Sequence, residues 1–312
     1  MIGERSHTAG PVTVPRRCGL VAVLGAPNVG KSTLVNHLVG AKVSIVSPKV
    51  QTTRTRVLGI FIHEACQIVL IDTPGIFLPR RRLDRAMVAA AWRGAEDADR
   101  IMLLVDAFRG VDEDTRKIVE RLAQQTRPVL LVLNKVDLVS KPSLLNLAAE
   151  LAEVPGVPWS ATFMISATTG DGVDELAASI AAELPEGPWL FPEDQLSDMP
   201  ERLLAAEITR EKLYLQLHQE LPYAATVETE SWTEKDDGSV RIDQVVYVQR
   251  QGHKRIVIGA GGRQIRGIGE AARHELETLL ERRVHLFLFV KVREHWVEDP
   301  ERYRALGLTF DA

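Results

Sequence analysis

The segment Gly25-Ala26-Pro27-Asn28-Val29-Gly30-Lys31-Ser32 decides how the first half of the chain is expected to fold. It follows an apolar run at residues 20–24 and precedes a helix-like stretch at residues 33–38, which predicts a strand, a glycine-rich loop and a helix. Glycines let backbone N–H groups close around phosphate oxygens at the positive end of a helix. Lys31 would add a positive charge and Ser32 a magnesium ligand. The segment therefore predicts a phosphate site, with an ordinary glycine-rich turn as the alternative.

Length and composition indicate a protein of about two domains. The chain has 312 residues, of which 45% are hydrophobic and 26% charged, and its net charge of −4 gives no global argument for nucleic acid or membrane. Two cysteines, Cys18 and Cys66, show no disulfide or metal spacing, which fits a cytoplasmic protein. Residues 1–17 lack an apolar core, so we expect a disordered tail rather than a signal peptide or a membrane helix.

Apolar strands and helices alternate along residues 18–185. Strands are predicted at residues 56–62, 66–71, 101–106, 129–133 and 163–165, and helices at residues 83–98, 115–125 and 173–184. Unbroken apolar strands between helices indicate a mostly parallel sheet with ligands beyond the carboxyl ends of its strands. The polar segment at residues 41–55 is expected to be a mobile loop that a ligand can order.

Two polar turns follow the predicted strands and fit a nucleotide site. The turn Asp72-Thr73-Pro74-Gly75 places a carboxylate where it can hold magnesium through water, although these residues also form ordinary turns. In Asn134-Lys135-Val136-Asp137, the Asp137 carboxylate can accept from the N1–H and the exocyclic amine of guanine. Adenine offers neither donor at these positions, so a buried site of this kind would reject it. Asn134 would bond the N7 edge of the base and position the loops, and the Ala167 N–H would meet the guanine oxygen.

These motifs together resemble the GTPase family of P-loop proteins across residues 20–184. The resemblance implies GTP or GDP as ligand and Mg²⁺ as cofactor. It implies nucleotide contacts from residues of all the motifs: Gly25, Ala26, Pro27, Asn28, Val29, Gly30, Lys31, Ser32, Thr33, Asp72, Thr73, Pro74, Gly75, Asn134, Lys135, Val136, Asp137, Ser166 and Ala167. It also implies magnesium binding by Ser32 and Thr53, and by Asp72 through water, with Thr52 open as the alternative to Thr53.

One position departs from the Ras-like members of this family. Ile76 stands where those members have the Gln that orients the attacking water, so slow intrinsic GTP hydrolysis is expected. The resemblance to a hydrophobic-substituted branch suggests the hypothesis that Asn28 holds a potassium ion against the phosphates. The residues expected to act in hydrolysis are Asn28, Lys31, Thr53 and Gly75.

A second domain is predicted after a Pro-rich linker at residues 186–201. Residues 202–312 show the order helix, two strands, two helices and strand. The loop Gly259-Ala260-Gly261-Gly262 lies in a window without acidic residues between Asp243 and Glu270, a positive patch in an otherwise acidic domain. The pattern resembles a type II K-homology (KH) module, an α+β RNA-binding fold whose G-x-x-G turn clamps about four nucleotides. The expected RNA contacts are Lys254, Arg255, Ile258, Gly259, Ala260, Gly261, Gly262, Arg263, Ile265 and Arg266.

The loop departs from the KH pattern at one point, because Ala260 and Gly261 occupy the middle positions that usually include a basic residue. Backbone contacts to RNA should survive this change. A glycine-rich helix start beside a solvated basic face is the alternative interpretation of the segment.

The pairing of the two domains resembles the Era family of bacterial ribosome-assembly GTPases from about residue 18 to the C-terminus. The segments that carry this resemblance include Gln51-Thr52-Thr53-Arg54, Arg210-Glu211-Lys212, Leu221-Pro222-Tyr223 and Val257-Ile258-Gly259. It implies a monomer that binds the 3′ region of 16S ribosomal RNA, assists assembly of the 30S subunit and associates loosely with the inner membrane. Two alternatives remain: an RNA chaperone whose nucleotide is structural, and a signalling GTPase whose second domain binds protein.

Overall fold

The computed structural model describes residues 15–49, 52–217, 225–294 and 299–311. Its first sheet consists of six strands, β1 (Arg17–Leu24), β2 (Val57–His63), β3 (Cys66–Asp72), β4 (Arg100–Asp106), β5 (Val129–Asn134) and β6 (Trp159–Ile165). Their order is β2-β3-β1-β4-β5-β6, and every neighbouring pair except β2 and β3 is parallel. The predicted mostly parallel sheet is confirmed.

Helices cover this sheet, which explains the unbroken apolar sequences of its central strands. The helices are α1 (Lys31–Val39), α2 (Arg82–Asp97), α3 (Glu113–Leu122), α4 (Lys141–Ala152) and α5 (Val173–Glu183). The sequence analysis assigned no element to α4, although Leu144, Leu147 and Leu151 are buried at helical spacing. None of the helices in the described part of the chain is long and apolar enough to cross a membrane.

The predicted linker packs along the edge of the first sheet. The Ile60 N–H on β2 donates to the Leu196 carbonyl at 2.8 Å, and the Gln67 amide oxygen accepts from the N–H groups of Leu190 and Phe191. An uncovered edge strand offers unpaired backbone groups to other chains. The linker therefore protects β2 as well as joining the domains.

The second domain has the predicted α-β-β-α-α-β order. Its elements are α6 (Glu201–Gln216), β7 (Ala225–Glu234), β8 (Val240–Val248), α7 (Gln251–Ile258), α8 (Arg263–Leu280) and β9 (Val284–Val292). β8 lies between β7, to which it is antiparallel, and β9, to which it is parallel. Helix α7 ends at Ile258, directly before the glycine-rich loop at residues 259–262, and α8 begins directly after that loop. The predicted α+β architecture is confirmed.

The C-terminal segment returns to the first domain. Helix α9 (Pro300–Ala305) carries Tyr303, which is buried with Leu308 against Leu83, Met87 and neighbouring residues of α2. The sequence analysis assigned these C-terminal residues to the second domain. Their apolar side chains instead join the two domains.

The described residues do not include Gln51 or the segment Leu221-Pro222-Tyr223. Of the predicted disordered tail, they include residues 15–17. Arg17, the last residue assigned to that tail, begins strand β1.

Candidate nucleotide site and RNA-binding loop

The loop between β1 and α1 has backbone conformations that only glycine adopts easily. Gly30 has φ +100°, and a Cβ at this position would lie 2.3 Å from Nδ2 of Asn134. Gly25 has φ +151°, and its Cβ would meet the Leu104 carbonyl oxygen at 2.5 Å. Both glycines are therefore required by the close approach of strands β4 and β5.

Lys31 is buried inside this loop. Its Nζ donates to the carbonyls of Gly25 at 3.0 Å and Ala26 at 2.9 Å. Burial lowers the pKa of Lys31 to about 8, and the nearby Asp72 carboxylate acts in the opposite direction. The phosphates of a bound nucleotide would place more negative charge beside this ammonium group and so favour its protonated form.

Oxygen atoms of three predicted magnesium ligands converge beside the loop. The Ser32 hydroxyl lies 2.9 Å from that of Thr53 and donates to Oδ2 of Asp72 at 2.7 Å. Oδ1 of Asp72 is buried without a hydrogen-bond partner among the described residues. Burial raises the pKa of Asp72, although hydroxyl groups of Ser44 and Ser32 oppose this shift. Hydroxyl and carboxylate oxygens are the ligands that Mg²⁺ prefers, so these residues fit the metal.

The structure places Thr53, not Thr52, beside Ser32. The Thr52 hydroxyl instead pairs with the Ser47 hydroxyl at 2.6 Å and donates to the Lys49 carbonyl at 2.6 Å. This geometry favours Thr53 of the two threonines that the sequence left open.

Asn134 connects the phosphate loop to the turn at residues 166–167. Its Nδ2 donates to the Val29 carbonyl at 2.8 Å, and its Oδ1 accepts from the Ala167 N–H at 2.9 Å. The Ala167 N–H was expected to meet the guanine oxygen, but here it donates to Asn134. Of the two roles considered for Asn134, loop positioning is the one that its hydrogen bonds fulfil.

Lys135 and Asp137 follow this asparagine in the turn after β5. The Lys135 ammonium donates to the Asn28 carbonyl at 2.9 Å and to Oδ2 of Asp106 at 2.6 Å. Asp137 lies in an exposed turn, and its carboxylate makes no hydrogen bond within the described ranges. It is therefore free to accept hydrogen bonds from a base.

A cavity of about 350 Å³ lies beside the phosphate loop, Thr53 and Asn134, whereas Asp72 and Asp137 are not among the residues that line it. The predicted site residues that line it are Pro27, Asn28, Gly30, Lys31, Ser32, Thr33, Thr53, Gly75, Asn134 and Lys135. The sequence analysis did not single out Arg109 or Thr168, which also line the cavity. Arg109 follows the end of β4, and the rule that ligands lie beyond parallel strands could have identified it. Its guanidinium donates to the Pro27 carbonyl at 3.3 Å.

The turn at residues 72–75 packs closely on the phosphate loop. A Cβ on Gly75 would lie 2.9 Å from Cα of Pro27, and the Ile76 N–H donates to the Gly25 carbonyl at 3.1 Å. The Ile76 side chain is only 6% exposed. A buried hydrocarbon cannot orient a water molecule, as the sequence predicted.

Asn28 points toward the switch segment, which we define as residues 42–49 and 52–55. Its backbone has φ +65°, and its side-chain Nδ2 donates to the Pro48 carbonyl at 2.8 Å. The Asn28 side-chain amide N–H and the Pro48 carbonyl oxygen thus meet at the edge of the phosphate cavity. No cluster of three or more His, Cys, Asp or Glu that could hold a metal occurs in the parts of the chain that the structure describes.

The switch segment is hydrogen-bonded to helix α6 of the second domain. Arg210 Nη2 donates to the Thr52 carbonyl at 2.5 Å, and Arg54 Nη2 donates to the Tyr214 hydroxyl at 2.7 Å. Glu211 accepts from the Val46 N–H at 2.8 Å. Lys42 forms ion pairs with Glu211, at 2.6 Å, and with Glu275 on α8. The two residues that flank Thr53 are therefore both held by the second domain.

The glycine-rich loop of the second domain is open to solvent. Gly261 and Gly262 have φ +60° and +77°, and a Cβ at either position would meet nothing within 4 Å. Ala260, Arg255, Arg263 and Arg266 are exposed, whereas Gly259, Lys254, Ile258 and Ile265 are half-buried. Ile256, which the sequence analysis did not select, is 56% exposed beside them. The loop joins α7 to α8 and presents basic and apolar side chains together.

Comparison with known protein families and sequences gives consistent matches for both halves of the chain. The family described as 50S ribosome-binding GTPase matches residues 20–135, and the KH domain family matches residues 220–297. GTPase Era of Sinorhizobium medicae is 59% identical over 310 residues, which cover 99% of each chain. GTPase Era of Rhizobium meliloti is 61% identical over 297 residues, which cover 95% of this chain and 94% of the relative.

Solved structures are similar over the whole length as well. Era in complex with MgGDPNP and nucleotides 1506–1542 of 16S ribosomal RNA has 40% identity and a TM-score of 0.88, covering 94% of this chain and 99% of that one. An Aquifex aeolicus Era variant bound to GDP·AlF4⁻ has the same identity and TM-score, and the match covers 93% of this chain and 99% of that one.

Proposed function

Because this chain belongs to the Era family of GTPases, we propose that it is a GTP-hydrolysing switch that binds the 3′ region of 16S ribosomal RNA and assists assembly of the 30S subunit. The relative solved with 16S ribosomal RNA supports the choice of ligand. The exposed glycine-rich loop with its arginines supports RNA contact by the second domain.

The observation that carries the switch proposal is the attachment of the switch segment to α6. The Thr53 hydroxyl lies 2.9 Å from the Ser32 hydroxyl. The residues on either side of Thr53 are hydrogen-bonded to α6, Thr52 to Arg210 and Arg54 to Tyr214. A change of nucleotide that moves Thr53 must therefore alter or break these contacts. RNA and GTP then favour each other's binding reciprocally, because both ligands act on the same pair of states.

Hydrolysis would depend on groups that line the cavity and on the turns beside it. Bound Mg²⁺ supplies charge that neutralises the phosphates, and Ser32, Thr53 and Asp72 are the residues that fit it. Lys31 would add its positive charge to the phosphates, and the Gly75 backbone would meet the terminal phosphate. Asp137 and Lys135 would hold the guanine.

Potassium stimulation is expected because Ile76 cannot orient water and Asn28 lies at the cavity edge. GTP hydrolysis should be faster in potassium than in sodium buffer by about tenfold. The Asn28→Ala variant should lose this difference. Turnover measured in both salts tests the assignment, and equal rates for the wild type would contradict it.

The RNA site is tested by a charge placed in the open loop. Gly261→Asp puts a carboxylate where a phosphate is expected, and αL geometry is tolerated by Asp, so folding should persist. We expect RNA affinity to fall by about tenfold or more, measured by fluorescence anisotropy with the 1506–1542 fragment.

Gly238→Asp is the matched control, since Gly238 has φ +78° and a Cβ there also meets nothing within 4 Å. It lies in the β7–β8 turn of the same domain and should bind RNA as the wild type does. Equal losses in both variants would argue against a site at the Gly261 loop.

The buried Ile76 also favours a second candidate, an RNA-binding or chaperoning protein whose nucleotide is structural and rarely hydrolysed. Stimulation of GTP hydrolysis by ribosomal RNA supports the switch, and its absence supports the alternative. A steep loss of RNA affinity with salt would oppose a protein-binding second domain.

We propose that the protein acts in the cytoplasm, because the 30S subunit assembles there. We also propose that it is a monomer. Loose association with the inner membrane is proposed from the family resemblance alone. Light scattering tests the mass in solution, and flotation with lipid vesicles tests the membrane contact.

A further inference from the structure

The first domain carries an arginine-lined groove on the side of α2 and α3, away from the nucleotide cavity. The groove has a volume of about 320 Å³, and its walls include Arg85, Trp92, Arg93 and Arg121. Arg85 and Arg93 are two helical turns apart, or about 12 Å along α2. Arg121 reaches over from α3, with its guanidinium 4.1 Å from the centre of the Trp92 ring.

These arginines are not neutralised by acidic side chains. Arg85, Arg93 and Arg121 form no ion pair with any carboxylate of the described residues. Asp84, the acid next to Arg85 in the sequence, is buried and accepts from the backbone N–H groups of Arg80 and Arg81, whereas Glu120, next to Arg121, is exposed. Glu96 is the one carboxylate of the groove wall. The groove therefore presents a net positive surface to solvent.

Helix α2 also contacts the chain that continues from the RNA-binding domain. The C-terminal residues Tyr303 and Leu308 pack on its apolar face, and the Arg82 guanidinium lies 4.3 Å from the centre of the Phe310 ring. The arginine groove thus lies on a helix of the first domain that packs against the C-terminal segment of the chain. Guanidinium groups match the geometry of phosphate oxygens, and one already stacked on an indole loses less freedom on binding.

We propose that this groove is a second RNA-binding site, which holds phosphate groups of the RNA backbone beyond the nucleotides that the glycine-rich loop binds. The proposal rests on RNA binding by the second domain. Contacts to phosphate groups position an RNA without recognising its sequence.

The variant Arg85→Gln/Arg93→Gln removes two charges from the groove. It is compared on two RNAs, the 1506–1542 fragment and a single strand of about four nucleotides, which is the length that the glycine-rich loop clamps. We expect unchanged affinity for the short strand and a loss of about three- to tenfold for the long fragment. The slope of log K against log salt should fall by roughly 1 to 1.5 for the long fragment only.

Lys141→Gln/Lys235→Gln is the matched control, because it removes two exposed charges elsewhere. Lys141 begins α4, and Lys235 lies in the β7–β8 turn, at the end of α8 opposite the glycine-rich loop. This control should bind both RNAs as the wild type does. A second groove variant, Arg85→Gln/Arg121→Gln, changes only exposed side chains and should reproduce the selective loss if Arg93→Gln impairs folding.

The outcomes separate the proposals. Equal affinity of the groove variants and the wild type for the long fragment would overturn the groove site, whereas failure of the wild type to bind either RNA would overturn the proposed function. Loss of binding to phosphatidylglycerol vesicles in the variants, with RNA binding unchanged, would assign the groove to a membrane surface and overturn the proposal.

Discussion

Asp137→Asn is expected to lower the affinity for GTP by about 10³-fold. The change replaces a charged acceptor of two hydrogen bonds by an amide that places a donor against the guanine amine. Each hydrogen bond to a charged group contributes about 1.5 to 3 kcal/mol, and 1.4 kcal/mol corresponds to tenfold in affinity. Calorimetric titration with GDP and GTP measures the loss.

The same variant should gain affinity for xanthosine triphosphate, which carries a carbonyl where GTP carries the exocyclic amine. Asp194→Asn is the control, because Asp194 is an exposed acid of the linker. It should leave nucleotide affinity unchanged. An Asp137→Asn variant that still preferred GTP would show that another residue recognises the base.

Arg210→Ala is expected to destabilise the protein by about 3 kcal/mol and to uncouple its two sites. Arg210 is 1% exposed, and its guanidinium bonds Glu207 and the Thr52 carbonyl. Removing one partner of a buried ion pair leaves the other charge without compensation. Denaturant unfolding measures the stability, and RNA affinity in the GDP and GDPNP states measures the coupling.

Arg202→Ala on the same helix is the matched control. Arg202 is exposed, and its guanidinium donates to the carbonyls of Thr229 and Glu230 within the second domain. It should preserve both stability and coupling. Arg210→Met retains the apolar part of the side chain, so loss of coupling in this variant without unfolding would identify the hydrogen bond to Thr52 as the link.

The nucleotide site was largely predictable because its motifs are local. The glycines, Lys31 and Ser32 occur within eight consecutive residues, and parallel strands bring the other two turns to the same edge of the sheet. Local sequence also predicted the order of the strands in both domains, but it did not predict helix α4. It gave no signal for how Asn134 divides its hydrogen bonds between two loops.

The contacts between the domains were not predictable from the sequence alone. Arg54 and Tyr214 are 160 residues apart, and Lys42 and Glu275 are 233 residues apart. Arg54 and Arg210 would be expected at the surface, yet both are buried at the junction of the domains. No periodicity or motif encodes such a pairing, because it depends on how two folded domains pack against each other.

The most direct test of the account is the affinity of the wild-type chain for the 1506–1542 RNA fragment with GDPNP and with GDP bound, in the presence of magnesium. Attachment of the switch segment to α6 predicts binding at least about fivefold tighter with GDPNP, which corresponds to a coupling of about 1 kcal/mol. Equal affinity in the two nucleotide states would contradict the switch.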